Sequence, residues 1–321
     1  MNSLPLSVFI DRNYLFPALV MLISANRQLE LDSEFCVGTF VDEFKPEDSE
    51  KLVKVFRELG RKLRTFEISI HSLKEQVGEI DNSQHFGYAA FGRLALQLQI
   101  PEKHLYSDVD VLIHQFNLST IVGYVESEKI GFVSQAEAYA LIGIECPEEN
   151  NEFFAGLILW PHASARPRST FQLTQKWKTP YSSHDQALLN LKIGQDYQRL
   201  DPHLCQLDNP MLGSSEYEPG IVHYFGNWKP WQATGLSRTR CESKNCSWTL
   251  WFKAEEDAEK LLKSLGLGPW FRELRNVSLR GAPKNLRILR RVLLAGRLTG
   301  TFFIVEWLVR SLWKGEKHLI H

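Results

Sequence analysis

Four short apolar runs within the first 113 residues are separated by three stretches of helical periodicity, and this alternation restricts the chain more than any other feature. "LSVFI" (6–10), "EFCVGTFV" (34–41), "LRTFEISI" (63–70) and "HLYSDVDVLI" (104–113) read as strands. Between the first two, "YLFPALVMLISA" places Leu15, Ala18, Leu19 and Leu22 at i, i+3, i+4 and i+7, the mark of a helix with one buried face. "KPEDSEKLVKVFRELG" opens with Pro46 and acids, carries a stripe of Leu52, Val55, Phe56 and Leu59, and stops at Gly60. "FGYAAFGRLALQLQI" sets Phe91, Leu94 and Leu98 on one helical face. Such a rhythm predicts an α/β fold with a mostly parallel sheet covered on both faces and ligands at the carboxyl ends of its strands. After residue 114 the order loosens: "KIGFVSQ" and "FFAGLILW" read as strands, "DQALLNLKI" as a helix, and "GIVHYFGNWKPW" as a strand entering a loop.

Charge excludes one class of partner and points to another. Lys plus Arg (37) balance Asp plus Glu (38), which argues against nucleic acid. From Trp270 onward, however, eleven Lys/Arg face three Asp/Glu, so the preceding residues carry a formal −9. Within that region Arg287, Arg290, Arg291 and Arg297 share one arc of a helix, beside an apolar remainder ending in Phe303, Trp307 and Trp313. A basic amphipathic helix rich in aromatics fits an anionic membrane interface, its apolar stretches being far short of the roughly 20 residues of a span; a C-terminal helix packed on the domain with a solvated basic face is the alternative. Five cysteines at irregular spacing form no disulfide framework, so reduced thiols in a cytosol are expected, the Cys241 and Cys246 of "CESKNC" included.

Neither phosphate-cradling glycine motif, G-x-x-x-x-G-K-[ST] or G-x-G-x-x-G, is present. Chemistry is instead suggested by Asp108 and Asp110, which share one face of the strand their run forms. Paired carboxylates suit Mg²⁺ or Mn²⁺ with substrate phosphates completing the shell; a solvated strand end is the alternative. His223 offers a third ligand or a packed core histidine, Lys229 a point charge for a phosphate or a surface lysine, and Arg93 a guanidinium that either reaches solvent or points at an anion. Asp185 and Gln186 open a helix, where an acid also satisfies the helix dipole.

These pieces, in this order over roughly residues 7 to 232, resemble family 8 glycosyltransferases, retaining GT-A enzymes that include bacterial lipopolysaccharide galactosyl- and glucosyltransferases. The resemblance implies a GT-A fold, a Rossmann-like mixed sheet flanked by helices, over a catalytic domain of residues 1–265, with a helical basic and aromatic region at 266–321. "VFIDRNY" is similar to the family's first strand and uridine-contacting turn, which implies donor contacts from Asp11, Asn13 and Tyr14. "FGRLAL" implies that Arg93 meets the donor sugar and diphosphate. "LYSDVDVLI" matches the metal motif, implying Asp108, Val109 and Asp110 at the donor and Mn²⁺ or Mg²⁺ on Asp108, Asp110 and His223. "FFAGLILW" implies Ala155 and Gly156 beside the sugar, "SHDQALL" puts Asp185 and Gln186 near the anomeric carbon, and "HYFGNWKPW" puts Gly226 and Lys229 at the diphosphate. Phe154 departs from the family pattern, standing where Asn is usual, and Ala95 replaces a common Lys. The implied activity is metal-dependent, retaining transfer of a hexose from a UDP-sugar to a glycan or lipid-linked glycan, at the inner face of the cell membrane. A non-catalytic nucleotide- or glycan-binding module is the alternative.

Overall fold

The computed structural model describes residues 4–27, 34–41, 44–77, 89–114, 119–143, 152–166, 186, 189–190, 193–194, 196–208, 220–225, 229–233, 238–239, 241–242 and 246–280. In chain order the elements are β1 (Leu6–Ile10), α1 (Leu15–Asn26), β2 (Glu34–Phe40), α2 (Pro46–Glu58), β3 (Lys62–Ile68), α3 (Ile70–Val77), α4 (Ala89–Gln97), β4 (His104–Ser107) and β5 (Val111–His114). They continue with α5 (Ser119–Val125), β6 (Gly131–Ser134), α6 (Gln135–Leu141), β7 (Phe153–Trp160), β8 (Gln198–Arg199), β9 (Gln206–Asp208), β10 (Gly220–Tyr224), α7 (Trp248–Ser264) and α8 (Gly268–Arg280). The α/β fold read from the sequence is present, as a mixed sheet flanked by helices. Its seven strands run β3-β2-β1-β4-β7-β6-β8, with β3, β2, β1 and β4 mutually parallel and β7 antiparallel to both its neighbours.

Alternation along the strands divides the core in two, because successive side chains leave a strand on opposite faces. Leu6, Val8 and Ile10 of β1 enter one hydrophobic cluster and Phe9 the other; on β7, Phe154, Leu157 and Leu159 face one way and Phe153, Ile158 and Trp160 the other. The first cluster holds α1, α2, α7 and α8, and the second holds α3 and α4. Strand β7 is buried along its whole length, as its unbroken apolar run requires. Gly92 lets α4 settle on the sheet, since a Cβ there would lie within 2.5 Å of three atoms of the Phe9 ring.

Three expectations need correction. Helix α1 buries ten of its twelve residues rather than one face, because the large sheet lies on one side while β5, α7 and α8 cover the other. Leu98, placed on the buried stripe of α4, is 55% exposed, since the helix ends at Gln97 and the chain turns there. Cys241 and Cys246 are joined as a disulfide instead of standing as free thiols: Cys246 N–H donates to Cys241 O at 3.2 Å, a turn that brings their Cα atoms to 5.3 Å. Cys36 and Cys205 are free and buried. The basic helix expected beyond residue 286 lies outside the described residues, and among those described no helix is long and apolar enough to cross a membrane.

Candidate active site

The chain passes from β1 outward through β2 to β3, then returns to lay β4 on the other side of β1. Where strand order reverses, the loops leaving the two central strands part and open a crevice at their carboxyl ends. Asp11 follows β1 there, and Asp108 follows β4.

The Asp pair does not lie on one strand. "HLYSDVDVLI" is two strands in two sheets: β4 pairs with β1 and β7, whereas β5 joins a second, three-stranded sheet of order β5-β10-β9. Asp108 and Asp110 occupy the crossover, which explains how two carboxylates tolerate a sequence otherwise fit for burial. Backbone bonds fix the crossover on both sides, from Asp108 N–H to Gly156 O and from Tyr224 N–H to Asp110 O, each 2.9 Å.

β10 then carries His223 to the same point. One donor atom each from Asp108, Asp110 and His223 lie within 4.8 Å of one another. His223 Nε2 is 3.2 Å from Asp110 Oδ1, and Lys229 Nζ donates to Asp110 Oδ2 and to Tyr224 O, both at 2.6 Å. Burial opposes ionisation of Asp110, yet the Lys229 and His223 charges outweigh it and hold the carboxyl far below its ordinary range. Burial likewise disfavours a charged His223, but Asp110 overcomes it and raises the imidazole pKa. Arg93 points inward: Nη1 bonds Ala155 O and lies 3.3 Å from Asp108 Oδ1, and the guanidinium sits 5.5 Å from the Tyr106 ring centroid. Tyr106 OH donates to Asp108 Oδ1 at 2.9 Å.

The remaining sequence-derived residues gather nearby to differing degrees. Asp11 caps the short turn Arg12–Tyr14, accepting from Asn13 N–H (2.7 Å) and Tyr14 N–H (3.1 Å). Burial raises the Asp11 pKa, and these two bonds oppose it. Tyr14 exposes 42% of its surface, yet lost hydration at the phenol and the charges of Asp110, Asp11 and Asp108 push its pKa up to about 12. Ala155 N–H donates to Gln186 Oε1 at 3.3 Å. Val109 is buried in the core and Gly156 meets the site closely: a Cβ on it would lie 2.6 Å from His223 Cε1. Phe154 packs beside His223, ring centroids 6.4 Å apart, and beside Tyr139 at 5.6 Å. Asp185 and Gly226 lie outside the described residues. One residue carries no warning in the sequence: Cys205 places its Sγ 3.9 Å from His223 Nδ1. Trp231, which ends the "HYFGNWKPW" loop, meets the Tyr14 ring edge-on at 6.4 Å.

The trio fits a divalent cation. Oxygen and imidazole donors suit Mn²⁺ or Mg²⁺, and Asp110 Oδ1 is buried without a well-directed hydrogen bond among the described residues. A second trio of Glu34, Cys36 and Glu102 is equally compact, but Arg64 fills it: Nε lies 2.8 Å from Glu34 Oε2, and Nη2 reaches Cys36 Sγ at 3.2 Å and also Glu102.

Comparison with known proteins agrees with this architecture. Galactosyltransferase LgtC, solved with donor and acceptor sugar analogues, superposes with a TM-score of 0.58 at 16% identity, covering 79% of this chain and 96% of that one. Glycosyltransferase GlyE of Streptococcus pneumoniae TIGR4, in its apo form, gives 0.54 at 16% identity over 79% of this chain and 63% of its own. At that identity the likeness is one of fold, the GT-A arrangement. Glycosyltransferase GlyF of Streptococcus pneumoniae serotype 4 is 25% identical over 206 residues, 58% of this chain and 49% of GlyF, so the chain spans about half the length of the curated relative it matches. The sequence pattern of Glycosyl transferase family 8 matches residues 5–235, well over half of the chain, and the protein belongs to that family.

Proposed function

We propose that the protein is a metal-dependent, retaining hexosyltransferase that moves a hexose from a UDP-sugar to a glycan or lipid-linked glycan. The observation that carries this reading is the convergence of Asp108, Asp110 and His223 at the crevice between β1 and β4. Those three side chains would hold Mn²⁺ or Mg²⁺, which when bound supplies charge neutralisation at the donor diphosphate. Lys229 and Arg93, already held against Asp110 and Asp108, add fixed positive charge where the departing UDP becomes more negative. Asp11, through its cap on Asn13 and Tyr14, orders the turn assigned to base and ribose, while Ala155 and Gly156 line the sugar. By the family resemblance, Asp185 and Gln186 would serve near the anomeric carbon and Gly226 at the diphosphate. Gln186 Oε1 accepts from Ala155 N–H, and because an amide oxygen is a poor nucleophile this reading takes attack by the acceptor hydroxyl on the face the leaving group vacates. Residues 266–321 would hold the enzyme at the anionic cytoplasmic face of a membrane through their basic side chains.

Mn²⁺-dependent UDP release from a panel of UDP-hexoses tests the reading. Asp110→Asn should lower it by on the order of a hundredfold, and an unchanged rate in that variant would remove the metal assignment. Phe154 favours the second reading, a binding module without turnover, since an aromatic ring with no hydrogen-bonding group stands beside His223. Calorimetric binding of UDP with no turnover across the panel would select that module.

A further inference from the structure

The turn Arg12–Tyr14 is held by a helix that lies beyond the family-matching residues. α8 begins at Gly268, whereas the match ends at residue 235. Its Ser278, 5% exposed, donates from Oγ to the backbone carbonyl of Asn13. One helical turn and more toward the N-terminus, Glu273 lies 3.7 Å from Arg12 Nη2, and Arg12 Nε lies 3.6 Å from Asp48 Oδ2. Trp270 closes the circuit, with Nε1 donating to the other Asp48 oxygen at 2.7 Å. Phe271 packs on Phe16 of α1, ring centroids 5.0 Å apart, so the helix is anchored in the core independently of its polar contacts.

We infer that α8 is a brace for the donor-binding turn and that Ser278 is a positioning residue, fixing the Asn13 carbonyl so that Asn13 and Tyr14 meet the nucleotide already ordered. The inference rests on the proposed function for the identity of the ligand, but not for the brace itself. A turn of three residues leaves most of its backbone groups to outside partners. Asp11 satisfies two of its N–H groups and Ser278 one of its carbonyls. Without Ser278 the turn keeps its cap but loses its only described anchor to α8 at Asn13, and nucleotide binding must then bear the cost of ordering it. The Arg12–Glu273 ion pair contributes less, because Glu273 is largely exposed and such pairs are weak.

The test compares Ser278→Ala with Leu262→Val, a buried α7 substitution that loosens the same core without touching the turn. Hydrogen exchange on the ligand-free protein should show faster exchange at the Asn13 and Tyr14 amides in Ser278→Ala only. Titration with UDP in the presence of Mn²⁺ should show affinity about fivefold weaker in Ser278→Ala and unchanged in Leu262→Val. Wild-type exchange and affinity in Ser278→Ala, or an equal loss in Leu262→Val, would overturn the brace. If the wild-type protein binds no UDP, the proposed function falls instead, and the exchange comparison alone decides whether α8 orders the turn.

Discussion

A methyl group at position 156 would stand 2.6 Å from His223 Cε1 and 3.0 Å from its Nδ1, so Gly156→Ala must push the imidazole off its line to Asp110. We expect metal-stimulated UDP release to drop by about tenfold or more, with a higher Mn²⁺ requirement, read from rate against Mn²⁺ concentration. Gly123 in α5 is the contrast: nothing lies within 4 Å of a Cβ there, and Gly123→Ala should raise stability by roughly 0.5–1 kcal/mol in urea unfolding. His104 gives the pH dependence. It is wholly buried between Glu102 O and Gln97, and burial, then the charges of Arg166 and Arg64, hold its pKa well below 6.5. The unfolded chain therefore takes up a proton that the native chain refuses. The associated stability is present above pH 6.5 and lost as pH falls below it. Thermal midpoints between pH 7 and 5 should fall less steeply in His104→Asn than in the wild type, each referred to its own value at pH 7. At this scale the sequence is informative where chemistry restricts residue type: paired carboxylates, a histidine and a lysine are few enough to notice. Gly156 and Cys205 gain meaning only from what stands beside them.

Among elements, the strands and the first helices follow local signals closely, because apolar runs of four to eight residues and a Pro-to-Gly framed stripe are short-range features. The break in "HLYSDVDVLI" is not short-range. Whether ten residues make one strand or two depends on which neighbours accept their hydrogen bonds: β1 and β7 take His104–Ser107, and β10 takes Val111–His114. Helix α1 fails in the same way, since a stripe tells which side is apolar but not that a second sheet covers the other. α8 offers a test of element-level coupling. Trp270→Phe keeps the ring in the core but leaves Asp48 Oδ1 without its N–H donor, and α2 loses a buried tie at its first turn. The expected loss is about 1–2 kcal/mol in denaturant unfolding with an unchanged m-value.

For the whole molecule, the sequence places an acidic body before a basic tail, and the structure shows where a cut should fall between them. Trp270, Phe271 and Leu274 lie in the main core, so removal of everything past residue 265 would uncover it. A chain ending at Arg280 retains that core while losing eight of the eleven basic residues. Such a protein should keep its thermal midpoint and its affinity for UDP, and should fail to sediment with anionic vesicles that carry down the full chain. Undiminished sedimentation would exclude the tail as the contact. The sequence by itself determined the α/β order and the residue types that gather where β4 ends, because these depend on periodicity and on side-chain chemistry. Only the tertiary structure decided that Asp108 and Asp110 sit at a passage between two sheets, that His223 arrives there from a strand more than a hundred residues away, and that a helix outside the family span bonds the turn Arg12–Tyr14. Each of those facts is a pairing between distant segments, fixed by hydrogen bonds and packing that no local stretch of the chain contains.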